Sequence, residues 1–326
     1  MPRARTHART LLLTATMSLL PPLVHPPKEP INGALSKDLP IEVRSLDFSF
    51  GGPQVLTNLS LSLPHGSRCL LVGHNGSGKS TLLKILAGKR LTRSEAFILG
   101  HRCFFDAPPG VTYLGTEWAG NPIVRRDVPV SRLLKSLNAE TYQERCSELL
   151  DILDVDPGWH MHQVSDGQRR RVQIVLGLMA PWQVLLLDEV TVDLDVLVRS
   201  ELLRWLKKET EQRNCTILYA THIYDGLGNW PTAVAHMNNG EIIHFRDIAD
   251  PAGFPELEAA KSRGREEVIW NSPLLTVAED WLREDFKKRD ANRHPETRTM
   301  SRWDMLSENM KQYGDKFYNY WTSAET

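Results

Sequence analysis

A glycine-rich run between an apolar strand and a helix constrains the fold of this chain most. Residues 73–80 read GHNGSGKS, which matches the phosphate-binding pattern GxxxxGK[ST]. The apolar residues 68–72 before the run predict a buried parallel strand, and the segment Thr81–Ala87 after it predicts a helix. A chance glycine-rich turn is the alternative, which the flanking strand and helix disfavour. The run therefore predicts an α/β nucleotide-binding domain.

The residue types in the run indicate what each one does. Glycines let the backbone wrap around phosphate groups, and the start of the following helix adds a favourable field. Lys79 is placed to bridge the β- and γ-phosphates of ATP, and the hydroxyl of Ser80 is placed to ligate Mg²⁺. We therefore predict ATP and Mg²⁺ as ligands, with the nucleotide contacts made by Gly73, Asn75, Gly76, Ser77, Gly78, Lys79, Ser80 and Thr81.

A second apolar strand ends in two acidic residues. The run Val184–Leu187 is followed directly by Asp188 and Glu189. The ends of parallel strands meet at one edge of a sheet, where ligands bind. Asp188 is therefore expected to hold Mg²⁺, and Glu189 to polarise a water for attack on the γ-phosphate. The alternative, a strand that simply runs into a charged turn, is disfavoured by the phosphate-binding run upstream.

Strand and helix patterns alternate through the rest of the chain. Such alternation favours a parallel sheet with helices packed on it. The strands are predicted at residues 41–44, 59–63 and 216–220, and the helices at residues 131–154, 168–180 and 198–211.

Four further motifs narrow the prediction to one family. The run VSDGQ at residues 164–168 resembles the LSGGQ signature of ATP-binding-cassette (ABC) ATPases. The run VDLD at residues 192–195 resembles the D-loop of that family, and His222 its H-loop histidine. Phe50 lies where the family places an aromatic ring that stacks on adenine. From Ile41 to Phe245 the motifs follow the family's order and spacing, so the chain is identified as a member of the ABC ATPases.

The resemblance implies an α/β fold of the ABC P-loop type, with a mainly parallel sheet, an antiparallel β subdomain and an α-helical subdomain. It also implies a homodimer in which two copies pair head to tail and share each ATP. Glu189 and His222 are then the catalytic residues, and Ser80 and Asp188 the metal ligands. The remaining nucleotide-site residues implied are Phe50, Ser165, Gly167, Gln168 and Asp195.

Three positions depart from the family pattern. The family's Q-loop glutamine is absent from residues 113–118, so Thr116 or Glu117 would have to serve. The first glycine of the signature is Asp166, which places an anion near the partner's phosphates. Val190 replaces the usual proline after the catalytic glutamate. The Q-loop change puts coupling to a membrane subunit in doubt.

The sequences at residues 113–118 and 190–195 resemble a small eukaryotic subfamily of single cassettes. Its fungal members are associated with the CCR–NOT mRNA-regulatory complex, and its plant members are unattached cassettes. This resemblance implies an ATP hydrolase that regulates a protein complex. One alternative is the energy-coupling subunit of a transporter whose membrane part is a separate chain. The other, a scaffold that barely hydrolyses ATP, is disfavoured by Glu189 and His222.

The 326 residues and the formal net charge of −1 limit the remaining possibilities. The charge indicates no general attraction to nucleic acid, and no apolar run has the length of a membrane span. Four widely spaced cysteines indicate reduced thiols rather than zinc or disulfides. The expected location is the cytoplasm, with the nucleus in addition.

We predict a tail over residues 1–39, an ABC ATPase domain over 40–250 and a helical extension over 251–326. The tail carries arginines and a short apolar run, so it is either a disordered extension or a mitochondrial targeting peptide. Apolar stripes at helical spacing follow Pro273 and recur from Trp303 to Phe317. They either pack on the cassette or dock a protein partner.

Overall fold

The order of strands and helices follows the predicted alternation. The computed structural model describes residues 39–248, apart from positions 107, 121–124, 225 and 229, and also positions 254, 256, 262 and 273–291. The strands are β1 (Ile41–Ser49), β2 (Gln54–Leu63), β3 (Arg68–Val72), β4 (Glu95–Ile98), β5 (His101–Arg102), β6 (Val111–Leu114), β7 (Val184–Asp188), β8 (Thr216–Ala220), β9 (Ala233–Asn238) and β10 (Glu241–Asp247). The helices are α1 (Lys79–Leu86), α2 (Val130–Ser136), α3 (Gln143–Ile152), α4 (Asp166–Leu178), α5 (Val196–Arg213) and α6 (Pro273–Ala291), with 3₁₀ turns at Thr116–Gly120 and Ala139–Tyr142.

A mainly parallel sheet forms the centre of the molecule. Its strand order, within the described residues, is β10-β9-β3-β8-β7-β6, and only the pairing of β10 with β9 is antiparallel. Every residue of β3, β7 and β8 is buried, as expected for parallel strands covered on both faces. Ala220 is aligned with Leu71 of β3 and with Asp188 of β7. The carboxyl ends of these three strands are therefore neighbours.

Two hydrophobic clusters cover the two faces of this sheet. Side chains alternate between the faces along a strand. In β7, Val184 and Leu186 join a cluster formed with α1 and the antiparallel sheet β2-β1-β4-β5. Leu185 and Leu187 join the other cluster, which the helices α2 to α6 complete. The predicted fold class, with its antiparallel β subdomain and α-helical subdomain, is confirmed.

The helical prediction over residues 131–154 is wrong in detail. Asn138 adopts a left-handed conformation with φ 58°, and it separates α2 from the turn that leads into α3. Asparagine tolerates this conformation better than most residues because its short polar side chain bonds locally. The apolar spacing continues across the break, which is why periodicity alone predicted one helical segment.

Helix α6 packs on the cassette, as the first interpretation of the C-terminal stripe stated. Leu274, Val277 and Trp281 are buried in the same cluster as α4 and α5. The Trp281 ring stacks on His236 of β9 with 4.9 Å between centroids, and its Nε1 donates to Glu256 Oε1 at 2.7 Å. The stripe from Trp303 to Phe317 and the predicted tail before position 39 lie outside the described residues.

Replacing Trp281 by alanine should lower the free energy of unfolding by about 3–5 kcal/mol, because it removes a fully buried aromatic ring and leaves a cavity. Urea unfolding followed by circular dichroism measures the loss. The matched control is Arg283→Ala on the same helix, whose side chain is 61% exposed in a surface ion pair and should cost under about 1 kcal/mol. Equal losses for the two variants would contradict the docking of α6.

Candidate nucleotide-binding site

The phosphate-binding run forms a tight loop after β3. A Cβ at Gly73 would lie 2.3 Å from the Met237 carbonyl oxygen and 2.7 Å from Ser77 Oγ, so no larger residue fits there. Gly78 has φ 105°, which strongly favours glycine, and a Cβ there would meet the Leu56 and Met237 side chains at 2.7 Å. The loop conformation thus depends on glycine for both space and backbone freedom.

Lys79 closes the loop from inside. Its Nζ donates to the carbonyl oxygens of Gly73 at 2.6 Å and His74 at 3.0 Å. Burial lowers the pKa of Lys79, while the carboxylates of Glu189 and Asp188 act in the opposite direction. Lys79 also begins α1, whose first N–H groups have no partner within the helix. The ammonium and these N–H groups together make the loop a concentrated source of positive potential.

The predicted metal ligands Ser80 and Asp188 are brought together. The Ser80 hydroxyl donates to Asp188 Oδ1 at 2.9 Å. The hydroxyl of Tyr113 donates to Asp188 Oδ2 at 3.2 Å. Burial raises the pKa of Tyr113, and the Asp188 charge raises it further. Sequence reasoning missed Tyr113, although the alignment of β6 beside β7 would have indicated it had the strand order been known.

Glu189 and His222 also meet. Each follows one of two paired strands, β7 and β8, and Glu189 Oε2 lies 2.9 Å from His222 Nδ1. Glu189 has φ 53°, a strained value for this residue type, and its N–H donates to the Ala220 carbonyl at 2.9 Å. This left-handed conformation turns the backbone sharply after β7 and places the Glu189 carboxylate at the edge of the sheet where the strands end.

These groups fit a triphosphate and a divalent cation. The Ser77 hydroxyl is buried beneath the loop, and no protein group in the described residues bonds it. Lys79 uses two of its three N–H bonds on the loop itself, which leaves one donor. Ser80 Oγ and Asp188 Oδ1 are adjacent hard oxygen ligands of the kind that Mg²⁺ prefers. Asn75 and Gly76 are exposed at the tip of the loop, and Thr81 lies in the first turn of α1.

The signature residues form the capped start of α4. The Ser165 hydroxyl accepts from the Gln168 N–H at 3.2 Å, and the Gln168 Oε1 accepts from the Ser165 N–H at 2.9 Å. This capping box defines the helix start, two residues before the predicted position. Arg169 forms an ion pair with Asp166, so the extra anion has a cation beside it. Ser165 is exposed and free to face another molecule.

The D-loop is tied to the signature helix. A Cβ at Gly167 would lie 3.0 Å from the Asp193 carbonyl oxygen, and the Arg170 Nε lies 3.5 Å from the Asp193 carboxylate. Asp195 caps α5, because its Oδ1 accepts from the Val198 N–H at 3.0 Å. Its Oδ2 accepts from the guanidinium of Arg171 in α4 at 2.5 Å. Within the described residues the predicted site residues thus form two groups, one around the P-loop and one around the signature.

Two further predictions concern the rim of the site. Phe50 is 61% exposed after β1, with the Arg90 guanidinium 5.6 Å from its ring centroid. The Glu117 carboxylate pairs with Lys84 of α1 at 2.7 Å, and the hydrogen bond from Lys84 lowers the pKa of Glu117. The predicted substitute for the Q-loop glutamine thus faces a lysine, whereas Tyr113 contacts Asp188.

A polar network links the P-loop to α6, and it is buried except at the half-buried His74. His74 Nε2 lies 3.1 Å from Asn238 Oδ1, and the Asn238 side-chain amide donates to Asp285 Oδ1 at 2.6 Å. The other Asp285 oxygen lies 2.9 Å from His236 Nε2. Burial lowers the pKa of His236, although Asp285 opposes the shift. The sequence carries no signal for this network, because its members lie up to 211 positions apart, as their numbers 74 and 285 show.

Comparison with known proteins gives consistent results. Residues 56–192 match the ABC transporter family. The chain is similar to CCR4-associated factor 16 of Saccharomyces cerevisiae, at 43% identity over 75% of this chain and 94% of that protein. It is also similar to ABC transporter I family member 21 of Arabidopsis thaliana, at 42% identity over 78% of this chain and 89% of that protein.

Solved structures share the fold. The ATP-binding subunit of an ABC transporter aligns with a TM-score of 0.57 at 22% identity, covering 69% of this chain and 93% of that chain. A dimeric cassette in a post-hydrolysis state, bound to ADP and phosphate, aligns with a TM-score of 0.55 at 19% identity, covering 66% of this chain and all of that chain.

The His236 environment predicts a pH-dependent stability. Its Nδ1 is buried, with no partner in the described residues, so a proton added there has no acceptor, and burial outweighs the attraction of the Asp285 carboxylate. The folded pKa lies below the unfolded value of about 6.5, so the unfolded chain takes up the proton first as pH falls. The contribution of His236 to the free energy of unfolding is therefore fully present above about pH 6.5. Below that pH it declines, by at most about 1.4 kcal/mol per pH unit.

Urea unfolding at a series of pH values from about 5 to about 8, a range that brackets the pKa of an unfolded histidine, checks this expectation. The variant His236→Gln should show a flatter pH dependence than the unmodified chain. The exposed His101→Gln is the matched control and should keep the original slope. An unchanged slope in His236→Gln would show that another group dominates the titration.

Proposed function

Because the chain belongs to the ABC transporter family and is an ATP hydrolase, we propose that two copies of it hydrolyse Mg-ATP at shared sites and that this dimer regulates a protein complex. The observation that carries the proposal is the convergence of Lys79, Asp188, Glu189 and His222 at one edge of the parallel sheet. A P-loop, a metal-binding carboxylate and a second carboxylate with its histidine are the parts that phosphoryl transfer to water needs.

Each residue has a role that its contacts support. Lys79 and the first N–H groups of α1 bind phosphate oxygens, and Ser77 offers a buried hydroxyl. Ser80 and Asp188 would hold Mg²⁺, which neutralises charge on the β- and γ-phosphates. Glu189 orients the attacking water and accepts its proton.

Around these residues, others fix the geometry. His222 holds the Glu189 carboxylate through the 2.9 Å contact, and Tyr113 holds Asp188. Phe50 is exposed beyond the loop and offers its ring face to the adenine base of ATP.

A second copy supplies what one chain lacks. Ser165 and Asp166 are exposed at the start of α4, and the helix contacts the D-loop through Gly167 and Arg170. Apolar side chains are exposed within the D-loop, at Val192, and directly after it, at Val196 and Leu197, as expected of a surface that becomes covered. In the proposed head-to-tail dimer, Ser165, Gly167 and Gln168 of one copy face the P-loop of the other. A cassette of the same fold is a dimer, which supports the pairing of two copies.

The proposed regulatory role rests on the relatives. CCR4-associated factor 16 is named for its association with CCR4, and it aligns over 94% of its length. We therefore expect this chain to associate with a CCR4-containing complex and to do so in a nucleotide-dependent way. ATP closes the dimer and hydrolysis opens it, so a bound protein senses the nucleotide state.

Transport energy coupling is the second candidate. Relatives named for import, such as a sulfate/thiosulfate import ATP-binding protein, align at 31% identity over 62% of this chain. No helix in the described part of the chain has the length and hydropathy to cross a lipid bilayer. The family's Q-loop glutamine is absent from residues 113–118, and Glu117, one of the two candidate substitutes, is paired with Lys84. The absence of the glutamine weighs against coupling to a membrane subunit.

The variant Glu189→Gln should form a stable dimer in Mg-ATP, because ATP binding survives and water activation is lost. Its mass in solution, measured by light scattering with and without Mg-ATP, should double on adding nucleotide. Turnover should fall by about 100-fold or more, since general base catalysis contributes about 10²–10⁴-fold. A variant that hydrolyses ATP at the original rate would exclude Glu189 as the base.

Three matched variants accompany this measurement. Glu201→Gln removes an exposed carboxylate on α5 and should leave the monomer–dimer equilibrium and turnover unchanged. Ser165→Arg should stay monomeric in Mg-ATP while still binding the nucleotide, because the bulk lies at the exposed helix start. Lys79→Ala should lose ATP binding. A Ser165→Arg protein that still dimerises would contradict the head-to-tail arrangement.

Nucleotide-dependent association distinguishes the regulatory role from the transport role. Purified CCR4 from the same species is the probe, and its retention on immobilised protein is measured with Mg-ATP. Glu189→Gln should retain more CCR4 than Lys79→Ala, because only the former closes. Equal retention, or none by either variant, would remove the support that the relative's name provides.

A further inference from the structure

A cluster of nitrogen and oxygen ligands lies outside the nucleotide site, just before the signature. It consists of Asp127, His160 and His162, and we call it the His–Asp cluster. The Nδ1 atoms of both histidines face the same oxygen, Asp127 Oδ1, with His160 in direct contact and His162 at 3.2 Å. The three ligand atoms lie within 4.8 Å of one another. The described interactions of the nucleotide site do not use this cluster.

The backbone holds the cluster in place. The Met161 N–H donates to the Val128 carbonyl at 3.0 Å, and the Val130 N–H donates to the Trp159 carbonyl at 2.8 Å. These bonds form a short antiparallel bridge between the segment before α2 and the segment before the signature. His160 is the bridge residue, and His162 lies in the turn that follows it, in which the Gln163 N–H donates to the His160 carbonyl at 2.9 Å. Met161 is fully buried between them and fixes the backbone.

The side chains themselves are accessible. The exposed fractions are 68% for Asp127, 43% for His160 and 38% for His162. A cation can therefore reach the cluster from solvent and keep water in its remaining coordination position. Two imidazole nitrogens with one carboxylate are ligands of intermediate softness, which suit Zn²⁺ and its neighbours in the first transition row. Mg²⁺ prefers oxygen alone, so this chemistry differs from that of Ser80 and Asp188.

We propose that the His–Asp cluster is a divalent transition-metal site, with Zn²⁺ as its best-suited ion, and that the metal joins the segment before α2 to the segment before the signature. His162 lies three positions before Ser165, the cap of α4, as their numbers show. A metal bound here restricts the segment that positions the start of α4. The site needs neither nucleotide nor a second copy.

The test measures Zn²⁺ binding to the full chain without nucleotide, by competition with a chromophoric chelator. The unmodified chain should bind one equivalent that the double variant His160→Ala/His162→Ala does not. Loss of supporting groups around a metal ligand already costs about 10- to 100-fold in affinity, so loss of two ligands should cost at least about 100-fold. Zn²⁺ should also raise the melting temperature of the unmodified chain but not of the double variant.

A matched control removes two other exposed histidines. His65→Ala/His101→Ala takes away the same number of imidazoles and should keep the bound equivalent. Asp127→Asn preserves the shape of the third ligand but weakens it, and should bind more weakly than the unmodified chain even if the double variant fails to fold. The proposal is overturned if the unmodified chain binds no equivalent, or if the double variant binds it as tightly as the control.

Discussion

The parallel pairing of β3 with β8 and of β8 with β7 is the constraint on which the nucleotide site depends. It aligns three strand ends, so residues that are more than a hundred positions apart meet at one edge. The P-loop follows β3, His222 follows β8 and Glu189 follows β7. Hydrophobic clusters on both faces hold the sheet in this order. The geometry of the proposed catalytic site is thus a consequence of core packing, and the loops complete it.

The same packing divides the predicted site residues between two places. Gly167 lies against the backbone of Asp193, and arginines of α4 bind the D-loop carboxylates, so signature and D-loop form one unit. The D-loop in turn begins at Val192, three positions after Glu189. The signature unit is therefore connected to the proposed catalytic base by a short, covalently continuous segment. This connection gives a physical reason for the proposed dimer closure to be coupled to hydrolysis within one chain.

The sequence predicts the elements whose signals are local. The strands Arg68–Val72 and Thr216–Ala220 have the predicted bounds, because continuous apolar runs and flanking turns identify them without tertiary information. The contacts around Asp188 and Asp285 were only partly predictable. Ser80 was expected from its motif, whereas Tyr113 and Asn238 depend on strand order and on where α6 docks. The break at Asn138 was missed because periodicity does not detect a single left-handed residue.

The docking of α6 couples that helix to the P-loop, which the P-loop motif alone does not predict. One side chain, Asn238, bonds both His74 of the P-loop and Asp285 of α6. The Asn238–Asp285 bond is buried, so breaking it leaves a polar group without water to replace its partner, whereas the His74–Asn238 bond is half-buried. Two arrangements of the P-loop, one with the His74–Asn238 hydrogen bond and one without it, should therefore hold α6 with different strength. By reciprocity, whatever shifts α6 changes the relative stability of those arrangements by the same free energy.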